Sequence, residues 1–339
     1  MKKNGIILLT ICLCLGLISG CGSRTQIGED QMNQAENRSS DVASSAESDI
    51  AGADDRSVRV TDDLGREVVL TTKPSRVAAL TGSFADTWLL AGGELSAAAH
   101  DAWEELHLDL KEDVQDLGST MKISLETLLA SDPDLVIASA KTKSHLDIQA
   151  TLESAKIPVL YFHVDAFEDY LRMLEVCTQI TARPELYEEN GLAVETQVKQ
   201  VREKAEAAVL KQGVPKVLML RIAASGISVK GSTGTVLGEM LKDLYCENIA
   251  DGSDLLDELS LEKIIEADPD HIFIVQQGND SEGAEKALEE ALTNNPAWAG
   301  LTAVKNGMVH RMDKMLFQFK PDKLWGTAYE QLEELLYEG

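Results

Sequence analysis

Cysteine is scarce in this chain, and so are aromatic and basic residues. Five cysteines occur among 339 residues. Cys12 and Cys14 lie in the opening apolar run and Cys21 follows it, which leaves Cys177 and Cys246 for a folded body. No C-x-x-C pair is present, so neither a zinc ribbon nor a thioredoxin-like site is encoded. Two distant cysteines allow one disulfide at most, and two buried free thiols are the expected state. Aromatics are 5% of the chain, enough for modest cores. Lys and Arg number 31 against 57 Asp and Glu, for a formal charge of −26. An acidic surface repels phosphates, which argues against a nucleic-acid partner, and it favours solubility. G-x-S-x-G is absent, and the loop Gly231–Gly238 has neither P-loop nor G-x-G-x-x-G spacing. With no nucleophile elbow or nucleotide cradle in view, no enzyme is expected.

The one long uncharged apolar stretch, Ile6 to Ile18, follows Lys2 and Lys3. Its 13 residues are too few to span a bilayer comfortably but suit a signal-peptide core. It leads into Leu17-Ile18-Ser19-Gly20-Cys21, which resembles a bacterial lipobox, so residues 1–20 are expected to be removed and Cys21 to carry lipid. Residues 22–57 hold no aromatic and eight acidic residues against three Arg. They cannot bury enough apolar surface to offset chain entropy and read as a tether. The expected location is the extracytoplasmic face of the cell membrane, in a Gram-positive bacterium.

One phrase occurs twice. Residues 124–137 read S-L-E-T-L-L-A-S-D-P-D-L-V-I and residues 260–274 read S-L-E-K-I-I-E-A-D-P-D-H-I-F-I, at a constant offset of 136. Ser124 and Ser260 suit helix N-caps, and Glu126 and Glu262 suit the positive end of the first turn. Asp-Pro-Asp then ends each helix and launches an apolar strand. Two copies, rather than three or more, predict two related lobes and not a solenoid. A cleft between such lobes is a natural place for a small molecule.

Elsewhere strands alternate with helices, the pattern of a parallel sheet covered on both faces. A hairpin is expected around Asp62-Asp63-Leu64-Gly65, then strands at 76–80, 95–99, 135–138, 159–162, 216–221, 271–275 and 308–312. Helices are expected at 84–91, 125–131, 145–155, 167–180, 261–267, 283–292 and 321–336. Between the copies, Val194, Val198, Val201, Ala205 and Ala208 form a helical stripe. The spacing predicts one helix over 185–212, a rod of roughly 40 Å. The expected fold is thus α/β: two Rossmann-like lobes, 58–184 and 213–339, joined by one long rigid helix, with a ligand cleft between them.

The repeated phrase, together with D-D-L-G-R-E-V at 62–68, P-S-R-V-A-A-L at 74–80 and N-P-A-W-A-G-L-T-A-V-K-N-G-M-V at 295–309, resembles the ABC-importer binding proteins for iron-siderophore complexes, haem and cobalamin. The resemblance covers about 58–339. It implies a monomeric receptor with no intrinsic cofactor that captures an iron complex, a ferric siderophore first and haem or cobalamin as alternatives. The receptor delivers this ligand to a permease dimer and its ATPase. It implies little hinge motion, and docking of one Glu per lobe onto permease Arg residues; by motif position these are Glu126 and Glu262.

In open α/β sheets, ligands sit beyond the C-terminal ends of the strands. That rule nominates Thr81, Ser83, Phe84, His100, Trp103, Lys141, Lys143 and His163 in the first lobe. In the second it nominates Arg221, Lys230, Gln276, Gln277, Lys314, Met315, Phe317 and Phe319. Arg221 and Lys141 suit carboxylates or catecholates, while Met315 and Phe317 suggest an apolar wall. His100 or His163 opposite Met315 would be the pair to ligate a haem iron, although no local spacing supports it. A free manganese or zinc receptor would need about three converging His and a carboxylate; the six His here are scattered.

Overall fold

A computed structural model of the protein describes residues 57–71 and 73–338, which belong to one compact unit. The expected signal segment, Cys21 and most of the expected tether lie outside the described residues. Among the described residues no helix is long and apolar enough to cross a membrane.

The hairpin forms first, β1 (Ser57–Thr61) antiparallel to β2 (Glu67–Thr71). Asp62 holds its turn, with one carboxylate oxygen accepting from the backbone N–H of Leu64 and Arg66. A five-stranded parallel sheet follows: β3 (Val77–Ala79), β4 (Leu95–Ala98), β5 (Gln115–Asp116), β6 (Leu135–Ser139) and β7 (Val159–Phe162), in the order β5-β4-β3-β6-β7. The second sheet comprises β8 (Lys216–Ala223), β9 (Gly226–Lys230), β10 (Glu247–Asn248), β11 (His271–Gln276) and β12 (Val309–Met312). Its parallel order is β10-β8-β11-β12, and β9 folds back antiparallel on β8.

The duplicated phrase builds the same device in each sheet. Ser124 Oγ accepts from Thr127 N at 3.2 Å, and Ser260 Oγ from Lys263 N at 3.4 Å. The first Asp of each Asp-Pro-Asp is left-handed, φ 45° at Asp132 and 44° at Asp268. The second clasps the start of a neighbouring strand: Asp134 accepts from Ser75 N and Arg76 N, and Asp270 from Lys216 N. The motif therefore sets strand register as well as ending the helix.

Parallel strands bury both faces. In β3, Ala78 turns toward one apolar cluster with Leu80, Val136 and Ala138, while Val77 and Ala79 turn toward another. The latter also contains Val217, Met219, Phe273 and Val275 of the second sheet. The two lobes thus share one continuous core. Opening them like a book would expose it to water, at roughly 25 cal/mol per Å² of apolar area.

The long helix runs Ala193–Gln212, about 30 Å at 1.5 Å per residue. It continues a short helix, Pro184–Tyr187, and an intervening wide turn, Glu188–Leu192. Its buried stripe is Val194, Val198, Val201 and Ala205, which joins Trp325, Ala328, Tyr329 and Leu332 of the closing helix in the shared core. Some expected elements differ. The helix expected at 145–155 is two, Lys143–Asp147 and Gln149–Ser154. The closing helix begins at Trp325 after a tight turn, Asp322–Leu324. Cys177 is buried, Cys246 is half-buried, and the two are unbonded.

Candidate functional site

Beyond the C-terminal ends of the strands, the two lobes enclose a cavity of about 520 Å³. Thr81, Ser83, Phe84, Lys141 and Arg221, all nominated by the strand-end rule, line it together. Thr81 caps the helix Gly82–Leu90, its Oγ1 accepting from Phe84 N at 3.2 Å. Gly82 has no room for a side chain, since an added Cβ would lie 2.8 Å from Ala102 N. Asp101 accepts from Gly82 N at 2.9 Å and holds the neighbouring loop against this helix start. Ser83 and Phe84 therefore sit at a fixed position in the wall.

The opposing wall begins with the glycine-rich loop. Gly234 has φ +78°, a conformation costly for other residues. Thr235 then caps the helix Val236–Asp243, accepting from Gly238 N. This geometry offers the Gly234 carbonyl to Lys141, whose Nζ donates to it across the cleft at 3.2 Å. A second bridge joins the lobes where Lys314 Nζ meets Glu105 Oε2 at 2.6 Å.

The charges at the centre are unevenly paired. Asp165 Oδ2 accepts from Lys141 Nζ at 2.5 Å and lies 2.7 Å from His163 Nε2. Burial alone would raise the Asp165 pKa, but hydrogen bonds from Lys141 and His163 and the charge of Lys320 hold it below the ordinary value. Arg221 reaches the cavity from β8. Its Nε is buried without a hydrogen-bond partner, and among the described residues it forms no ion pair. Burial pulls its pKa down, with Asp165 opposing. Lys320 is likewise without an ion pair among the described residues, and burial lowers its pKa. The cavity thus holds two cations in want of a counter-ion in a protein of net charge −26.

Of the other nominated residues, Gln277 and Phe319 also line the cavity and the rest stand apart from it. Trp103 is half-buried and packs on the shared core. Lys230 ends β9 opposite Met219, close enough to Arg221 that the guanidinium helps lower its pKa after burial has done so first. Phe317 is buried in the shared core and Met315 is half-buried in the same short helix, Lys314–Phe317. The loop after that helix supplies Gln318, Phe319 and Lys320 to the cavity instead. His100 is exposed and lies 2.7 Å from Asp116, so the pair of His100 or His163 with Met315 does not meet across the cavity. Gln277 lines the cavity, whereas Gln276 and Lys143 do not. Among the described residues no three His, Cys, Asp or Glu side chains cluster as a metal site.

Three groups important to this region carry no local signal in the sequence. Lys320 and Asp165 read as ordinary loop charges. His145 is fully buried behind the wall, its Nδ1 accepting from Ser139 N at 3.0 Å and its Nε2 lying 3.1 Å from Thr120 O. Burial depresses its pKa to about 4. Below the cavity, at the lobe seam, Asp322 is buried at φ 50°, with Oδ1 accepting from Thr87 Oγ1 at 2.8 Å. Its Oδ2 has no donor and faces Asp86. Burial and the neighbouring carboxylate raise the Asp322 pKa well above the ordinary value, and burial raises that of Asp86, so a proton shared by the pair would be held more tightly than on an exposed carboxylate.

Glu126 and Glu262 are exposed in the first turns of equivalent helices, Leu125–Ala130 and Leu261–Ala267. Each helix runs back from the strand ends that border the cleft. Among the described residues neither Glu has an ion-pair partner.

The chain as a whole is similar to known proteins. The family described as periplasmic binding protein matches residues 77–316. The chain is 26% identical over 249 residues to the iron-uptake system-binding protein of Bacillus subtilis, covering 70% of this chain and 75% of that one. It is 25% identical over 317 residues to the Fe(3+)-citrate-binding protein YfmC of the same organism, covering 91% and 88%. The structure of Staphylococcus aureus SirA complexed with staphyloferrin B superposes with a TM-score of 0.64 at 21% identity, over 83% of this chain and 97% of that one. The chain belongs to the periplasmic binding protein family.

Proposed function

We propose that this protein is the extracytoplasmic receptor of an ABC importer for a ferric complex with an anionic, carboxylate-bearing periphery, of the siderophore or citrate kind. The observation that carries this reading is the pair of cleft cations, Arg221 and Lys320, which form no ion pair among the described residues. A planar guanidinium suits a carboxylate fork. The lining includes no His, Tyr or Cys, the usual protein ligands of haem iron apart from methionine, and its one methionine, Met121, is exposed. Phe84 and Phe319 supply apolar surface for a ligand that arrives with its iron already coordinated. The relatives named for iron uptake and ferric citrate support the same class.

In this reading Cys21 carries the lipid that holds the receptor at the membrane, and residues 22–57 give it reach. Glu126 and Glu262 present one carboxylate per lobe to Arg residues of the permease dimer. The shared core keeps the lobes at a nearly fixed angle, so the two carboxylates keep a fixed spacing. The test is calorimetric titration of the purified chain with ferric citrate, ferric siderophores, haem, cobalamin and zinc. Anionic ferric complexes should bind, and Arg221→Ala should weaken them by about tenfold or more, the loss of one charged hydrogen-bonded contact. Binding of zinc alone, or of haem with full affinity in Arg221→Ala, would overturn the reading.

A further inference from the structure

Asp165 is an unusual residue to find in a site built for an anion. Three cations reach the cavity, Lys141, Arg221 and Lys320. Of the three carboxylates in its lining, Glu105 is paired with Lys314 and Asp101 accepts from Gly82 N. Asp165 is the one aimed among the cations. Its carboxylate does not cap the helix Phe167–Thr181 that follows. That helix start is held by Asp169, whose Oδ2 accepts from the N–H of Asp165 and of Ala166. The Asp165 side chain is engaged with Lys141 and His163 instead.

We propose that Asp165 is an internal counter-ion that sets how much negative charge the cleft accepts. It neutralises one of the three cations in the empty receptor and so moderates affinity for polyanionic complexes while leaving neutral ones little affected. This rests on the ferric-complex reading above and adds a specificity-determining residue to it.

The probes are ferric citrate, which is anionic, and a neutral ferric trihydroxamate of similar size, each titrated at two salt concentrations. Asp165→Asn should tighten ferric citrate on the order of tenfold at low salt, the Coulombic worth of one unit charge in a partly solvated cleft. It should steepen the salt dependence and change the neutral probe less than about twofold, since an uncharged ligand feels the field weakly. Lys141→Gln should weaken ferric citrate by a similar factor. The double variant restores the net charge and should return ferric citrate to within about threefold of the parent chain. This arm keeps the idea testable if Asp165→Asn alone folds poorly. Equal shifts for both probes, or a double variant as weak as Lys141→Gln, would overturn the counter-ion role. Failure of the parent chain to bind either probe would instead defeat the ferric-complex reading on which it rests.

Discussion

Acidification should loosen the first lobe through one imidazole. His145 has no solvent exposure, and its Nδ1 accepts from Ser139 N. The neutral tautomer is therefore fixed, with the proton on Nε2 directed at Thr120 O. Burial lowers the pKa from 6.5 to about 4, the bond to Thr120 opposing slightly. A histidine depressed in the folded state costs stability as pH falls, because the unfolded chain takes the proton first. The loss begins near 6.5 and is complete near 4. At about 1.4 kcal/mol per pKa unit it amounts to about 3 kcal/mol, a sizeable part of a typical 5–15 kcal/mol. Urea denaturation at a series of pH values would measure it, with His145→Asn as the control. Asn offers an oxygen to Ser139 N but does not titrate. The variant should lose about 1–3 kcal/mol at pH 7, yet fall less steeply than the parent chain between about pH 6.5 and 4. Parallel profiles, or an imidazole titrating near its ordinary value by NMR, would refute the argument. Because Ser139 and Thr120 line the cavity, ligand affinity should fall over the same interval.

The Asp86–Asp322 pair acts in the opposite sense. With the folded pKa raised, stability should fall as pH rises above the ordinary carboxylate value, by up to about 1.4 kcal/mol per pH unit until the shared proton is lost. Asp322→Asn tolerates the left-handed backbone and supplies a donor to Asp86, so it should flatten that limb in the same denaturation series; an unchanged slope would count against a shared proton. Replacing both Glu126 and Glu262 by Ala should abolish cellular uptake of the ferric ligand while calorimetry shows unaltered affinity, and normal uptake would remove them from docking.

Much of the architecture is legible in the sequence because it rests on local chemistry. The duplicated Ser-Leu-Glu and Asp-Pro-Asp phrases predict helix caps and strand starts, and β7 falls at the expected residues 159–162. The two-residue strands β5 and β10 carry too little periodicity to see. The hairpin strand β9 escapes a reading by pattern because the glycine-rich Gly231–Gly238 dominates that stretch. At the site, the strand-end rule finds Thr81, Ser83, Phe84, Lys141 and Arg221 because sheet polarity alone brings those loops together. It misplaces Phe317 because an apolar side chain near a cavity does better in a core when one is within reach, and the shared core is; Met315, on the same short helix, is half-buried outside the lining.

The sequence by itself determined that there are two related lobes, where their sheets present loops, and which residue types those loops carry. Only the tertiary structure decided that Lys314 finds Glu105, that Lys141 finds Asp165, and that Arg221 and Lys320 pair with no carboxylate among the described residues. The reason is that ion pairing depends on distances of a few ångströms between residues far apart along the chain. Periodicity and composition carry no record of such distances.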